Sequence, residues 1–354
     1  SQDADLTPQG KHMSTGLIYH QDCLAHVMGT CPESPERLQA IIEHLRQDGV
    51  MDRLQQVTAR PATEAEVLHY HTRELLSLIR SLAEDGGGEL DSDTYVSAGS
   101  FRATLLAVGA TLQAVEMVVH GDLKRTFALV RPPGHHATAC RAMGFCLFNN
   151  AAVAARVALT RGWVKRLAII DIDVHHGNGT ASAFWTDPRV LYISTHQSPL
   201  YPATGNWRDT GSGEGRGTTL NIPLPPFTGE QGFIHVFDEL VGPALRRYRP
   251  QLLLVSAGYD AHWADPLAGM LLTVGSYAAI TARLVAWADE LCDGRLAFCL
   301  EGGYHLEALA NSVSATLGVL TGVAVADSLG TAQMHEVDIG DLPERIARRH
   351  SLLG

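Results

Sequence analysis

Five short apolar runs constrain this chain more than anything else in it: FALV (127–130), LAII (167–170), VLYI (190–193), LLLV (252–255) and LAFCL (296–300). Helical stretches lie between them. Continuous rather than alternating Val, Ile and Leu belongs to strands buried on both faces, so the pattern predicts a parallel sheet flanked by helices. Each run leads into a polar or glycine-rich cluster: RPPGHH, DIDVHH, STH, SAGYD and EGGY in turn. In such sheets ligands bind beyond the carboxyl ends of the strands. Five such endings on one edge of the sheet define a candidate active site.

The intervening segments read as helices with recognisable ends. In ESPERLQAIIEHLRQDG, Ser34 is placed to cap, Pro35 sits in the first turn and Gly49 stops the helix. Thr63 with Glu66, and Thr228 with Gln231, fit capping boxes. FRATLLAVGATLQAVEMVV and NNAAVAARVAL predict buried helices. No repeat, low-complexity tract or linker divides the chain, so residues 14–354 read as a single catalytic domain. The polar, patternless residues 1–13 read as a tag or disordered leader, with a native start near Met13.

Composition narrows the function. With 354 residues, 45% hydrophobic and 18% charged, the profile is that of an ordinary globular protein. A formal charge of -11 argues against nucleic acid as partner and is compatible with a cationic substrate. No run reads as a membrane span and no signal peptide is visible. The six cysteines form no CxxC pair, so reduced thiols in a cytoplasmic protein are expected rather than disulfides.

The chemistry concentrates at the strand ends. In LAIIDIDVHHGNG, Asp171, Asp173 and His175 fall at every second position and share one face of an extended chain. Carboxylates held side by side repel unless a cation lies between them. Asp173 and His175, joined by Asp260 from SAGYD, supply three ligands and leave a position open, the pattern of a catalytic metal site. The mixed nitrogen and oxygen set suits Zn²⁺, with Fe²⁺ and Mn²⁺ as alternatives. His135 and His136, after a Pro-Pro-Gly turn, suit proton transfer. Asp171 and Asn178 are residue types that orient an imidazole through its other nitrogen. Tyr304 of EGGY is a donor for a developing oxyanion. Phe145 and Tyr201 are aromatics after strand ends, for which core and channel roles both stay open.

Taken in order, RPPGHH, GFCLFNNAA, DIDVHHGNGT, SAGYDAHWADPLAG and LEGGY resemble the zinc-dependent histone deacetylase family over about residues 14–322. TCPESPERL, LDSDTYVS, Asn178 and LEGGY resemble its bacterial class II-like amidohydrolases. The resemblance implies an arginase/deacetylase-like three-layer α/β fold with a central eight-stranded parallel sheet. It implies Zn²⁺ on Asp173, His175 and Asp260. His136 is then the general base and acid, and His135 its electrostatic partner bonded to Asp171. Tyr304 polarises an amide carbonyl. Phe145 and Tyr201 would wall an acyl-lysine tunnel, Gly144 would contact the alkyl stem, Leu267 would sit at the rim, and Asp93 would hold substrate backbone. The family also implies one or two K⁺ sites: one at Asp171, Asp173, His175, Ser194 and Thr195, the other near Phe184 and Val190. Asn178 stands where some relatives carry aspartate, and Tyr201 where phenylalanine is common.

The implied reaction removes acetyl or other short acyl groups from lysine-type amides, of peptides or small amines. An acetylpolyamine deacetylase is the alternative, although such a site calls for a carboxylate at the gate, where this chain has Leu267. A ureohydrolase would need two Mn²⁺ ions and bridging aspartates that DIDVHHGNG does not supply. A non-catalytic acyl-lysine binder is the remaining reading, at odds with the presence of Tyr304 and both tandem histidines. A homo-oligomer is left open.

Overall fold

The computed structural model describes residues 15–27 and 29–353. The expected leader and the start near Met13 lie outside the described residues. Ten strands are described: β1 (Thr15–Tyr19), β2 (Gln55–Thr58), β3 (Gly87–Glu89), β4 (Tyr95–Ser97), β5 (Arg125–Ala128), β6 (Leu167–Asp171), β7 (Val190–Gln197), β8 (Thr219–Leu224), β9 (Leu253–Ala257) and β10 (Leu296–Leu300). Eight of them form one sheet in the order β2-β1-β5-β10-β9-β6-β7-β8. All seven pairings are parallel. β3 and β4 make a separate antiparallel hairpin.

The helices are α1 (Glu36–Gln47), α2 (Glu64–Val67), α3 (Arg73–Glu84), α4 (Ser100–His120), α5 (Asn150–Thr160), α6 (Asn178–Ala183), α7 (Glu230–Val236), α8 (Gly242–Tyr248), α9 (Val274–Leu291), α10 (Leu306–Thr321) and α11 (Leu342–Arg349). They flank the sheet, giving the expected three-layer α/β arrangement with a central eight-stranded parallel sheet. Crossovers between parallel strands place helices on the sheet faces, and β6, β9 and β10 are buried along their whole length.

The sheet order explains how one edge becomes a site. The last two strands, β9 and β10, insert between β5 and β6, so all five strands read from the sequence are contiguous: β5-β10-β9-β6-β7. Their polar endings therefore face a common region. β7 runs four residues beyond the expected VLYI and includes Ser194, Thr195 and His196, because β8 pairs with it as far as Gln197.

Several local expectations change. The Thr63 capping box is present, with Glu66 N donating to Thr63 Oγ1 at 3.2 Å and Thr63 N to Glu66 Oε2 at 2.9 Å, but the helix behind it is only four residues long. α1 begins at Glu36 with Pro35 as its cap position, and Ser34 contributes no side-chain cap. Thr228 does not cap α7, because its hydroxyl donates to Pro225 O at 2.7 Å. That helix is instead capped from a distance: Glu336 accepts from the backbone N–H groups of Gln231 (3.1 Å) and Gly232 (2.6 Å). α4 is long and apolar enough to cross a membrane by length and composition alone, contrary to the expectation of no such run. In this fold it packs on β5, β10 and α5 as a core helix. All six cysteines are free thiols.

The remote cap gives a test of the fold. Glu336→Ala leaves two N–H groups of the first turn of α7 without their partner, and cap removal typically costs about 0.5–2 kcal/mol. Urea unfolding should show that loss for Glu336→Ala.

Candidate metal centre and active site

β6 and β9 deliver the three metal-ligand candidates. Asp173 follows β6 by two residues, His175 by four, and Asp260 lies in the loop after β9. Their ligand atoms all lie within 4.8 Å of one another. His175 Nδ1 faces both carboxylates, 3.1 Å from Asp173 Oδ1 and 3.2 Å from Asp260 Oδ2. Backbone N–H groups orient the acids: Gly302 N donates to Asp173 Oδ2 (2.8 Å), and Val174 N donates to Asp260 Oδ1 (2.9 Å). Both aspartates are buried.

Electrostatics show what this cluster requires. Burial pulls His175 down, but its hydrogen bonds to Asp173 and Asp260 reverse that and raise it to about 10. Two buried carboxylates thus hold a positive charge in place, and in the bare chain that charge is the imidazolium proton. Two carboxylates and one imidazole with no cysteine are donors for a borderline divalent ion, and three protein ligands leave room for a further one. The residues fit a single metal ion.

The glycines around the cluster are part of its construction. A Cβ on Gly302 would stand 2.3 Å from Asp260 Oδ2 and 2.6 Å from Asp173 Oδ2, and one on Gly258 would stand 2.2 Å from Asp173 Oδ2.

The tandem histidines sit beside this cluster, on the loop after β5. Their rings are 4.0 Å apart, and that of His136 is 5.9 Å from that of His175. His135 Nδ1 bonds Asp171 Oδ2 at 3.0 Å, and Tyr192 OH donates to the same oxygen at 2.9 Å. His136 Nδ1 lies 2.8 Å from Asn178 Oδ1. An amide oxygen only accepts, so Nδ1 of His136 carries the proton and the neutral ring has its lone pair on Nε2. The two rings are driven apart in basicity. For His135, burial is outweighed by Asp171 and Asp173, which hold it well above the ordinary imidazole value. For His136, burial and the positive charges of His135 and His175 hold it well below. One imidazolium therefore stands next to one neutral base.

A cavity of about 260 Å³ opens above these groups, lined by Asp93, His136, Gly144, Phe145, His175, Leu200, Tyr201, Leu267 and Tyr304. Every residue expected to touch substrate is in that lining. Phe145 and Tyr304 meet edge-on at 5.6 Å, and Tyr201 meets His136 at 5.1 Å. Burial keeps the Tyr304 phenol well above its ordinary value, so it stays a donor. Phe145 has φ +65°, a conformation strained for a residue with a side chain. Its backbone is pinned there: Phe145 N donates to Thr94 Oγ1 (3.3 Å), and Gly144 N donates to Asp93 Oδ1 (3.2 Å).

Of the residues expected around a monovalent cation, Asp171 and Ser194 are register partners in β6 and β7, and Thr195 Oγ1 donates to Asp171 O at 3.4 Å. Phe184 and Val190 are both buried at the two ends of the loop between α6 and β7.

Sequence reasoning missed several supporting groups. Glu301, buried, accepts from the backbone of Gly134 (2.7 Å) and His135 (3.2 Å), fixing the histidine loop. Arg37, paired with Glu33, donates to Gly303 O (2.7 Å) and Glu301 O (2.6 Å) and lies over the Tyr304 ring at 4.9 Å. Tyr192 reads as core in VLYI, and only the pairing of β6 with β7 reveals its bond to Asp171. Glu301 stands in EGGY, where a buried acid after an apolar strand was itself a signal.

Fold and site together are those of an α/β hydrolase, with three residues able to hold a metal ion beside a pair of histidines. Comparison with known proteins is in accord. Residues 31–320 match the histone deacetylase domain. A probable deacetylase of Archaeoglobus fulgidus is 41% identical over 318 residues, 89% of this chain and 88% of that protein. A histone deacetylase-like amidohydrolase of Pseudomonas aeruginosa is 39% identical over 336 residues, 89% of this chain and 88% of that protein. The crystal structure of the HDA15 HD domain superposes with a TM-score of 0.87 at 36% identity, covering 96% of this chain and 94% of that one. The chain belongs to the histone deacetylase family, in its arginase/deacetylase-type fold.

The glycine packing makes metal binding testable away from the ligands. Gly302→Ala should lower bound divalent metal well below one ion per chain by elemental analysis. Gly275→Ala, whose added Cβ meets nothing nearer than 3.5 Å, should leave metal content unchanged.

Proposed function

We propose that the protein is a zinc-dependent amidohydrolase that removes acetyl or other short acyl groups from lysine-type amides. The observation that carries this is the meeting of the Asp173–His175–Asp260 cluster with the His135–His136 pair beside one aromatic-walled cavity, into which His136 and His175 open. Asp173, His175 and Asp260 would hold Zn²⁺, which when bound supplies a Lewis acid for the amide carbonyl and makes water a stronger acid.

The protein's own groups divide the remaining work. His136 Nε2 takes the proton of the attacking water, its Nδ1–H held by Asn178. An asparagine holds that ring without adding negative charge, so His136 stays a weak base and gives up its proton readily. His135, kept cationic by Asp171, supplies positive charge beside the developing negative charge. A histidine then protonates the leaving amine. Tyr304 donates a hydrogen bond to the carbonyl oxygen as charge builds on it. Phe145 and Tyr201 flank the acyl-bearing stem, with Gly144 against it and Leu267 at the rim.

The rim favours acyl-lysine over acetylpolyamine. Leu267 presents no charge there, and one oxygen of Asp93, Oδ1, is engaged by Thr94 Oγ1 (2.7 Å) and Gly144 N (3.2 Å). An assay of the zinc-loaded protein on acetyl-lysine peptide and acetylputrescine side by side should show the peptide preferred. Preference for acetylputrescine would overturn the substrate class. Tyr304→Phe should lose about 10²–10³ in kcat with metal content intact, as removal of an oxyanion donor typically does. His136→Ala should lose activity likewise while keeping its metal.

The same reading extends to K⁺, held by Asp171, Asp173, His175, Ser194 and Thr195, and near Phe184 and Val190. Replacing K⁺ by a bulky organic cation at equal ionic strength should lower Tm if these sites are filled. We propose a cytoplasmic setting as well.

A further inference from the structure

Asp265 is a buried carboxylate that the proposed reaction does not use, although it follows the metal-ligand candidate Asp260 on the same loop. It is 6% exposed. Both of its oxygens accept backbone N–H groups. Oδ2 takes those of Tyr304 (2.7 Å) and His305 (3.3 Å), and Oδ1 takes that of Leu267 (2.9 Å). Tyr304 and Leu267 line the same cavity from different loops. One side chain therefore joins the loop after β9 to the loop after β10, and its bonds end on a reacting-centre wall and on the rim.

We infer that Asp265 is a positioning residue that sets the Tyr304 hydroxyl and the Leu267 rim relative to one another. This rests on the reading of Tyr304 given above. The neighbouring restraints show why a carboxylate is needed. Arg37 Nε already holds Gly303 O, one residue before Tyr304, and His305 Nδ1 accepts from Ala308 N at the start of α10. The N–H groups of Tyr304 and His305 lie between those two anchors and point to Asp265. Without that acceptor, two N–H groups in the wall lose their partner, and the segment carrying the phenol is free to shift. A misplacement of about 1 Å at a reacting group can cost about 10²-fold in rate.

The two oxygens make a conservative variant informative. An asparagine has one acceptor oxygen and one donor NH₂. Turned toward Tyr304 and His305, its oxygen keeps two of the three bonds and sets the NH₂ against Leu267 N–H. The opposite orientation keeps only one. Asp265→Asn should therefore hold the tyrosine and loosen the rim, with KM for an acetyl-lysine peptide raised several-fold and kcat within about threefold. Asp265→Ala should lower kcat by on the order of 10–10²-fold with metal content unchanged.

The decisive test is a double-mutant cycle with Tyr304→Phe, because residues that act as a unit are non-additive. Asp265→Ala should cost less than about twofold in kcat when Tyr304 is already Phe. An equal loss in both backgrounds would overturn the inference, as would an Asp265→Asn variant as slow as Asp265→Ala. If Tyr304→Phe itself retains full activity, the assignment of Tyr304 fails, and crystal structures then decide the placement. A Tyr304 backbone unmoved in Asp265→Ala would overturn it, and a displaced one would uphold it.

Discussion

The site depends on two buried carboxylates, Asp173 and Asp260, held facing one imidazole. Buried like charges repel strongly unless a cation or fixed donors stand among them. Here the donors are backbone N–H groups from Val174, His175 and Gly302, and the cation in the bare chain is His175 itself. This arrangement is possible only because β9 and β10 enter the middle of the sheet last. That insertion brings the end of β10, with its glycines, against the ends of β6 and β9. A methyl group at Gly302 would occupy space the two carboxylates need.

From that cluster the paired histidines take their different characters. Both are buried, and burial alone would make both weak bases. Asp171 reverses this for His135, with Tyr192 and the backbone of Asp173 donating to it. His136 has only a neutral amide, and it also feels the charges of His135 and His175. One fold position thus supplies a fixed positive charge and the adjacent one a free lone pair. The difference comes from the groups around each ring: Asp171 and Asp173 at His135, and at His136 a neutral amide with the charges of His135 and His175 nearby.

Much of this was legible in the sequence because the informative residues follow continuous apolar runs. Those runs are the five central strands, buried on both faces. β1, β2 and β8 lie outside those runs. β2 is an exposed edge strand (QQVT) without an apolar run, and β8 (TLNIPL) carries Asn221 and Pro223. The ligand cluster, both histidine partners and the cavity lining lie within motifs, and the structure brings them together. The groups missed make contacts between segments far apart in the chain. Glu336 caps a helix 105 residues before it, Arg37 reaches residues beyond 300, and Asp265 binds Tyr304 and His305. The Thr228 cap failed for the complementary reason: a local motif was present, but a distant carboxylate took its place.

On the proposed function, one metal ion held by Asp173, His175 and Asp260 makes this chain an amidohydrolase. The most direct test is a titration of metal-stripped protein with Zn²⁺, following acetate release from an acetyl-lysine peptide. Activity should rise linearly and saturate at one equivalent per chain. No acetate release at one bound equivalent, or saturation only at two, would contradict the account.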